Sequence, residues 1–261
     1  MQILYGHAVV KGVIDYLRAS PKRNKQLAII VPVNDDAASD GFVAEVNNFA
    51  SNLAISTRTL FKTINATTEE LIADLDRLSA DKDVGGVVLV LPLPKNIDRE
   101  KVLLAIPIRK DVDVLNPGNK VSEPPAVRTV SEIWKEFNDG YHPRNGPPKK
   151  VAVVGRGLLI GAPIAKYLRM WGHSVEVYNS KTSLDGLRDA DVVILGAGVP
   201  KLVSPSILKA GAHVIDFGYP GDFDSKHPEA GKVGIYVPAR GGTGTILTVS
   251  MFYNFYLLNS W

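Results

Sequence analysis

The amino-acid sequence predicts an α/β protein of two domains, and three observations support this fold class. Short apolar segments of strand length alternate with segments that carry apolar residues at helical spacing, which is typical of a mostly parallel sheet covered by helices. A loop rich in glycine, proline and charge, at 138–150, separates two halves that both show this alternation. A glycine-rich turn then joins a strand to a helix. The 261 residues are enough for two ordinary domains.

The first half alternates predicted helices with buried strands. Helical spacing predicts helices over 9–18 and 41–53, the second with Phe42 and Val46 on one face. Continuous apolar runs predict buried strands over 27–33 and 86–91. Thr67 is followed three residues later by Glu70, which is the pattern of a capping box and predicts that a third helix begins there.

The second half restarts with a strand. Strands are predicted over 151–154, 174–178, 191–195 and 213–217, and a helix follows the first of them through Tyr167. The aromatic-rich segment 251–258 is too short to cross a membrane. It predicts a buried helix that packs back on the first domain or takes part in a dimer contact.

The composition excludes several classes of function. The sequence has no cysteine, which excludes disulfides, thiolate metal sites and a cysteine nucleophile. Its 5 histidines show no ligand spacing, so no metal site is predicted. The net charge is only +3 and no long basic run exists, which argues against a nucleic-acid partner. Since no signal peptide or membrane span is recognisable, we expect a soluble, cytoplasmic protein with no membrane partner.

The glycine turn predicts a dinucleotide-binding site. Gly155 permits a tight turn, Gly157 leaves room for a pyrophosphate beside the backbone, and Gly161 allows close packing of helix on strand. The N–H groups at the start of the helix would then face the phosphates. The spacing GxGxxxG is one residue longer than the usual fingerprint, so a glycine-rich turn without a ligand is the alternative.

The residues after the next strand favour NADP over NAD. An NAD site carries an acidic residue at this position for the ribose 2′-hydroxyl, whereas the sequence has Asn179, Ser180 and Lys181. Arg156, inside the glycine turn, can offer its planar guanidinium to a 2′-phosphate, and Ser180 adds a hydroxyl donor. Solvated surface charges are the alternative interpretation of Arg156 and Lys181.

Several motifs, in order along nearly the whole chain, resemble the methylenetetrahydrofolate dehydrogenase/cyclohydrolase family. They lie at 34–39, 86–94, 110–113, 155–163, 179–182 and 241–244. The resemblance implies an N-terminal substrate domain over 1–122, completed by a C-terminal helix over 244–261. It also implies a Rossmann-like NADP domain over 123–243 and a homodimer. Tyr219 is also predicted to bind the cofactor. The carboxylate of Asp113 is expected to bind the amino group and the ring N–H edge of a pterin.

The departures from the family pattern are concentrated among the substrate residues. The family's Tyr and the Lys four residues later, which is associated with cyclohydrolase chemistry, correspond to Phe42 and Val46. The Gln that precedes the family's Leu-Pro-Leu-Pro corresponds to Val90, and the Gly after Asp113 corresponds to Val114. A valine has no proton to exchange and no charge to polarise water.

These observations predict an NADP-dependent methylenetetrahydrofolate dehydrogenase whose cyclohydrolase activity is absent or strongly reduced. Hydride transfer needs mainly positioning, whereas hydrolysis of the methenyl cation needs water activation. Two alternatives remain open. One is an NADP-dependent oxidoreductase with a non-folate substrate, since the replaced residues are apolar. The other is a cofactor-binding paralogue without catalysis.

Overall fold

The computed structural model describes residues 1–21, 24–32, 37–63, 65–137 and 142–260. Residues 34–36 of the first family motif and 138–141 of the predicted linker lie outside this part of the chain. The strands, in chain order, are β1 (Gln2–Ile3), β2 (Gln26–Val31), β3 (Thr57–Phe61), β4 (Val84–Leu89), β5 (Lys150–Val154), β6 (Ser174–Tyr178), β7 (Val192–Leu195), β8 (His213–Asp216) and β9 (Ile235–Val237).

Helices connect most of these strands. They are α1 (Gly6–Val9), α2 (Lys11–Ala19), α3 (Ala37–Asn52), α4 (Thr68–Ala80), α5 (Arg99–Ala105), α6 (Pro125–Phe137), α7 (Gly161–Met170) and α8 (Gly244–Leu258). The predicted elements are present, with ends that differ by a few residues. The start of α4 confirms the predicted capping box, because Thr67 Oγ1 accepts from the Glu70 N–H at 3.2 Å and Glu70 Oε2 accepts from the Thr67 N–H at 2.9 Å.

The chain forms two compact units, each with a parallel sheet. Within the described residues, one sheet has six strands in the order β1-β9-β8-β7-β5-β6, and the other has three in the order β3-β2-β4. The six-stranded unit comprises Met1–Gly12 and Ala126–Leu247, and the three-stranded unit comprises Val13–Pro125 and Thr248–Trp261. This confirms the predicted two-domain α/β fold with parallel sheets.

The observed division differs from the predicted one at the amino terminus. Residues 1–12 were expected in the substrate domain, but they belong to the six-stranded unit. The reason is that β1 pairs in parallel with β9, and that a Cβ on Gly6 would collide with the Gly242 carbonyl oxygen. Neither contact has a local sequence signal.

The C-terminal segment Thr248–Trp261, which holds most of α8, belongs to the three-stranded unit. Asn254 is fully buried and its Nδ2 donates to the carbonyl oxygens of Val112 and Glu123, each at 2.9 Å. Asn259 Nδ2 donates to the Gly85 carbonyl at 3.0 Å. The aromatic segment therefore anchors the strand β4 and the loop that carries Asp113.

Candidate functional site

The glycine turn between β5 and α7 has the geometry that the sequence predicts. Gly155 has φ +105°, and a Cβ there would lie 2.5 Å from the Gly196 carbonyl oxygen. A Cβ on Gly161 would collide with the Gly155 carbonyl oxygen. Because the colliding atoms are backbone atoms, neither position can accept a side chain without a change in the turn.

Gly157 differs from the other two glycines because nothing lies within 4 Å of the position where its Cβ would be. The space beside the backbone is therefore open on this side of the turn. At the start of α7, Ile160 gives no side-chain cap to the first N–H groups. Among the first three residues of α7, Pro163 has no N–H and the Ala162 N–H donates to the Gly157 carbonyl at 3.0 Å. The open space beside the turn, together with the remaining Gly161 N–H at the helix start, fits a bound pyrophosphate.

The predicted 2′-phosphate residues lie at the carboxyl ends of the neighbouring strands β5 and β6. The Gly155 N–H donates to the Tyr178 carbonyl at 2.9 Å, which joins the glycine turn to the end of β6. Asn179 Oδ1 then accepts from the Lys181 N–H at 2.9 Å and so holds Ser180 and Lys181 in a tight, exposed turn. Among the described residues, the charged ends of Arg156 and Lys181 have no hydrogen bond or ion pair. Both cations are therefore free to meet an anion.

Tyr219 lies at the same edge of the sheet but two strands away from β5, in the segment after β8. It is 54% exposed, and the Arg240 guanidinium carbon lies 5.9 Å from the centre of its ring. The structure therefore does not place Tyr219 with Arg156 and Lys181. It would meet a different part of a dinucleotide that lies along this edge.

In the three-stranded unit, two acidic residues have contrasting surroundings. The carboxylate of buried Asp111 accepts three hydrogen bonds, from Leu115 N, Asn116 N and Asn119 Nδ2, at 2.9–3.1 Å. No described residue donates to the half-buried carboxylate of Asp113. Burial and the nearby charge of Asp111 raise the pKa of Asp113 to about 8. Asp113 therefore has the unmet acceptor capacity that a ligand with N–H donors would satisfy.

Asp113→Asn is expected to stabilise the protein increasingly as the pH rises from about 4 to about 8. Above the ordinary carboxyl pKa of 3.8 the unfolded chain loses the Asp113 proton, whereas the folded chain keeps it to about pH 8. The stability contribution of Asp113 therefore falls across this range. The gain in free energy of unfolding should reach several kcal/mol at pH 8, since one pKa unit corresponds to about 1.4 kcal/mol, and urea unfolding measures it. Exposed Asp83→Asn is the control, and a gain independent of pH would contradict the prediction.

Val114, next to Asp113, has φ +58°. This left-handed conformation favours glycine, and a β-branched residue there is strained by about 1–3 kcal/mol. This backbone would suit the glycine that the resemblance implies at this position, although the residue is valine.

Val114→Gly is expected to raise the free energy of unfolding by about 1 kcal/mol, because relief of the strain exceeds the entropy that glycine adds to the unfolded chain. Urea unfolding at pH 5 measures the change. Ala54→Gly, at φ +54° but without β-branching, is the matched control and should gain less. If Val114→Gly instead lowers the stability, as truncation of a packed valine side chain ordinarily does, then side-chain packing at Val114 outweighs the strain.

The three positions at which the sequence predicts that family polar residues are replaced are apolar and mostly buried. Val46 is 0% exposed and Val90 is 3% exposed, while Phe42, one turn before Val46 on α3, is half-buried. Val90 continues β4, and a parallel bridge between Val87 and Asp111 puts the Asp111–Asp113 segment beside that strand. No water can be activated by these three side chains, since none carries a polar atom.

Sequence reasoning missed Gly196. It follows β7, its carbonyl oxygen lies against Gly155, and a Cβ on it would lie 3.0 Å from Ile160 Cγ2. Its position directly after a buried strand was the available signal.

In the part of the chain that the structure describes, no group of His, Asp or Glu could hold a metal ion, and no helix is long and apolar enough to span a membrane.

The fold and the turn define a two-unit α/β protein with a Rossmann-like domain. Residues 5–113 match the catalytic domain of tetrahydrofolate dehydrogenase/cyclohydrolase, and residues 142–260 match its NAD(P)-binding domain. The chain therefore belongs to the tetrahydrofolate dehydrogenase/cyclohydrolase family.

Relatives and solved structures agree with this assignment. The chain is 31% identical to the bifunctional protein FolD of Mycoplasmopsis synoviae, with 86% of each chain covered. It is 30% identical to FolD of Staphylococcus aureus strain JH9, with 98% of this chain and 96% of the relative covered. FolD of Campylobacter jejuni superposes with TM-score 0.87 at 26% identity, covering 100% of this chain and 99% of the other. The Trypanosoma brucei enzyme, complexed with NADP and an inhibitor, gives TM-score 0.87 at 25% identity, covering 99% and 97%.

Proposed function

We propose that this protein is an NADP-dependent methylenetetrahydrofolate dehydrogenase without cyclohydrolase activity. The proposal rests on a contrast between the predicted cofactor site and the predicted hydrolytic position of this chain. The glycine turn and the free cations of Arg156 and Lys181 fit NADP, whereas the family's hydrolytic lysine position is the fully buried Val46. Binding of cofactor is retained, and water activation is lost.

NADP would supply the nicotinamide that accepts the hydride. The glycine turn would hold the pyrophosphate, and Arg156, Ser180 and Lys181 would hold the 2′-phosphate. Asp113 would accept hydrogen bonds from the N–H edge of the pterin and so orient the one-carbon unit. The substrate nitrogen stabilises the cation that forms as hydride leaves, so this half-reaction requires orientation but no general base.

Hydrolysis of the methenyl product requires a group that activates water or shuttles a proton. At Val46 the side chain is apolar and sealed from solvent, and Phe42 and Val90 add only apolar surface. The product of the reaction would therefore be the methenyl folate. The homodimer and the cytoplasmic location stay predictions.

The proposal is tested by NADP reduction with methylenetetrahydrofolate, comparing the wild type with Arg156→Ala. Loss of a charge-assisted hydrogen bond to the 2′-phosphate should raise KM for NADP by about 10- to 100-fold. KM for NAD, which lacks that phosphate, should change by less than about threefold. Exposed Arg188→Ala is the matched control. No reduction of NADP by the wild-type protein would refute the dehydrogenase assignment.

A non-folate substrate is the second candidate, and the apolar side chains of Phe42, Val46 and Val90 favour it. Calorimetric titration separates the two. Tetrahydrofolate binding that is lost in Asp113→Ala supports the folate assignment, since Asp113 is the carboxylate expected to hold the pterin. NADP binding without tetrahydrofolate binding supports the second candidate. Binding of neither ligand would support a protein without catalysis.

A further inference from the structure

Two loops follow β7 and β8 at the carboxyl edge of the six-stranded sheet. The strand order places β6 on one side of β5 and β7 and β8 on the other. A dinucleotide lies across such a reversal of strand order. Because Ser180 and Lys181 after β6 fit its adenosine half, the nicotinamide half would extend over the loops 196–200 and 217–222.

A single buried carboxylate joins these two loops. Asp222 is 0% exposed, and its Oδ2 accepts from the N–H groups of Ala197 at 2.7 Å and Gly198 at 3.2 Å. Its Oδ1 accepts from the Val199 N–H at 2.8 Å. Three consecutive N–H groups of the loop after β7 are thus held by one side chain from the loop after β8.

The loop after β8 is shaped around the same carboxylate. A Cβ on Gly218 would collide with it, so the chain passes too close to Asp222 for any side chain at that position. The Gly218 N–H donates to the carboxylate of Asp216 at 2.8 Å, and the Lys201 N–H donates to the Gly221 carbonyl at 3.0 Å. Asp222 therefore lies at the centre of a network that fixes both loops.

The carboxylate also changes what the loop after β7 can bind. Three consecutive N–H groups that point to one spot form an anion-binding concavity, which would attract phosphate if it were empty. Asp222 fills this concavity with the protein's own charge. Phosphate groups are consequently directed to the glycine turn, where the space beside Gly157 is open and the Gly161 N–H at the start of α7 has no side-chain cap.

We propose that Asp222 is a positioning residue for the nicotinamide half of NADP. It acts through the loops 197–199 and 218–221 and does not itself touch the cofactor. This inference rests on the proposed function, because it takes NADP as the ligand. In this role Asp222 places the nicotinamide correctly, and it does not contribute to the affinity for the adenosine half.

The test compares NADP with 2′,5′-ADP, a fragment that carries the adenosine half and the 2′-phosphate but no nicotinamide. In Asp222→Asn, the amide group presents a donor to loop N–H groups that need an acceptor. The dissociation constant for NADP should rise by about tenfold or more, while that for 2′,5′-ADP should stay within about twofold. Isothermal titration of the full chain measures both.

A second variant leaves Asp222 in place and perturbs the loop. Gly198 is exposed with φ +69°, and its Cβ would meet nothing within 4 Å, so Gly198→Ala strains the loop without a collision. It should also weaken NADP more than 2′,5′-ADP, and it decides the question if Asp222→Asn does not fold. Asp224→Asn, which removes a carboxylate 3.5 Å from Lys201, is the control and should leave both affinities within about twofold.

The outcomes separate the two proposals. Selective loss of NADP affinity in Asp222→Asn, or in Gly198→Ala alone if the first variant is unfolded, supports the positioning role. Equal loss of both ligands, or no loss of either, overturns it while the proposed function stands. If the wild-type protein binds neither NADP nor 2′,5′-ADP, the proposed function itself has failed, and the positioning role fails with it.

Discussion

Gly161→Ala is expected to lower the stability of the apoprotein by about 3 kcal/mol and to abolish measurable NADP binding. The new Cβ would overlap the Gly155 carbonyl oxygen, and neither backbone segment can move without opening the turn between β5 and α7. Thermal unfolding without ligand and titration with NADP measure the two effects.

Gly157→Ala is the matched control for this prediction. Its Cβ enters open space, and φ at Gly157 lies outside the left-handed region, so apoprotein stability should change by less than about 0.5 kcal/mol. The added methyl group would still stand where the pyrophosphate approaches, and NADP affinity should fall about tenfold or more. Normal NADP affinity in Gly157→Ala would mean that the pyrophosphate does not lie at this turn.

The wild-type protein is expected to open methenyltetrahydrofolate no faster than buffer does. The reason is that the residue predicted to occupy the position of the family's lysine is Val46, which is 0% exposed and has no polar atom. The absorbance of the methenyl compound, followed with and without protein, gives the rate. Acceleration typical of bifunctional relatives would show that another group activates water.

Restoring the lysine alone is not expected to restore hydrolysis. Val46→Lys places an ammonium in a sealed apolar position and should destabilise the protein by about 3–5 kcal/mol. Val46→Met adds similar length without charge and should cost less, which isolates the effect of the charge. Equal stability of the two variants would indicate that solvent or a carboxylate reaches position 46.

The sequence predicts the parts of this protein that have local causes. The glycines at 155, 157 and 161 and the capping box of Thr67 and Glu70 have fixed spacings with direct geometric consequences, and the structure contains both features. The apolar runs of β2 and β4 identify strands buried on both faces.

Features that depend on distant contacts were not predictable in this way. β1 consists of two residues, and both are exposed. It forms a strand because it pairs with β9, which lies more than two hundred residues later in the chain. Asp222 reaches Ala197, 25 positions away, and no local pattern marks that carboxylate as the ligand of a loop. The left-handed backbone at Val114 could likewise not be predicted, because valine does not favour that conformation.

The most direct test of the account follows both products of one reaction. Purified protein is mixed with methylenetetrahydrofolate and NADP, and NADPH and methenyltetrahydrofolate are quantified together over time. We expect NADPH to form and the methenyl compound to accumulate with it, decaying only at the rate seen in buffer. Absence of NADPH, or NADPH with rapid conversion of the methenyl compound to formyltetrahydrofolate, would contradict the account.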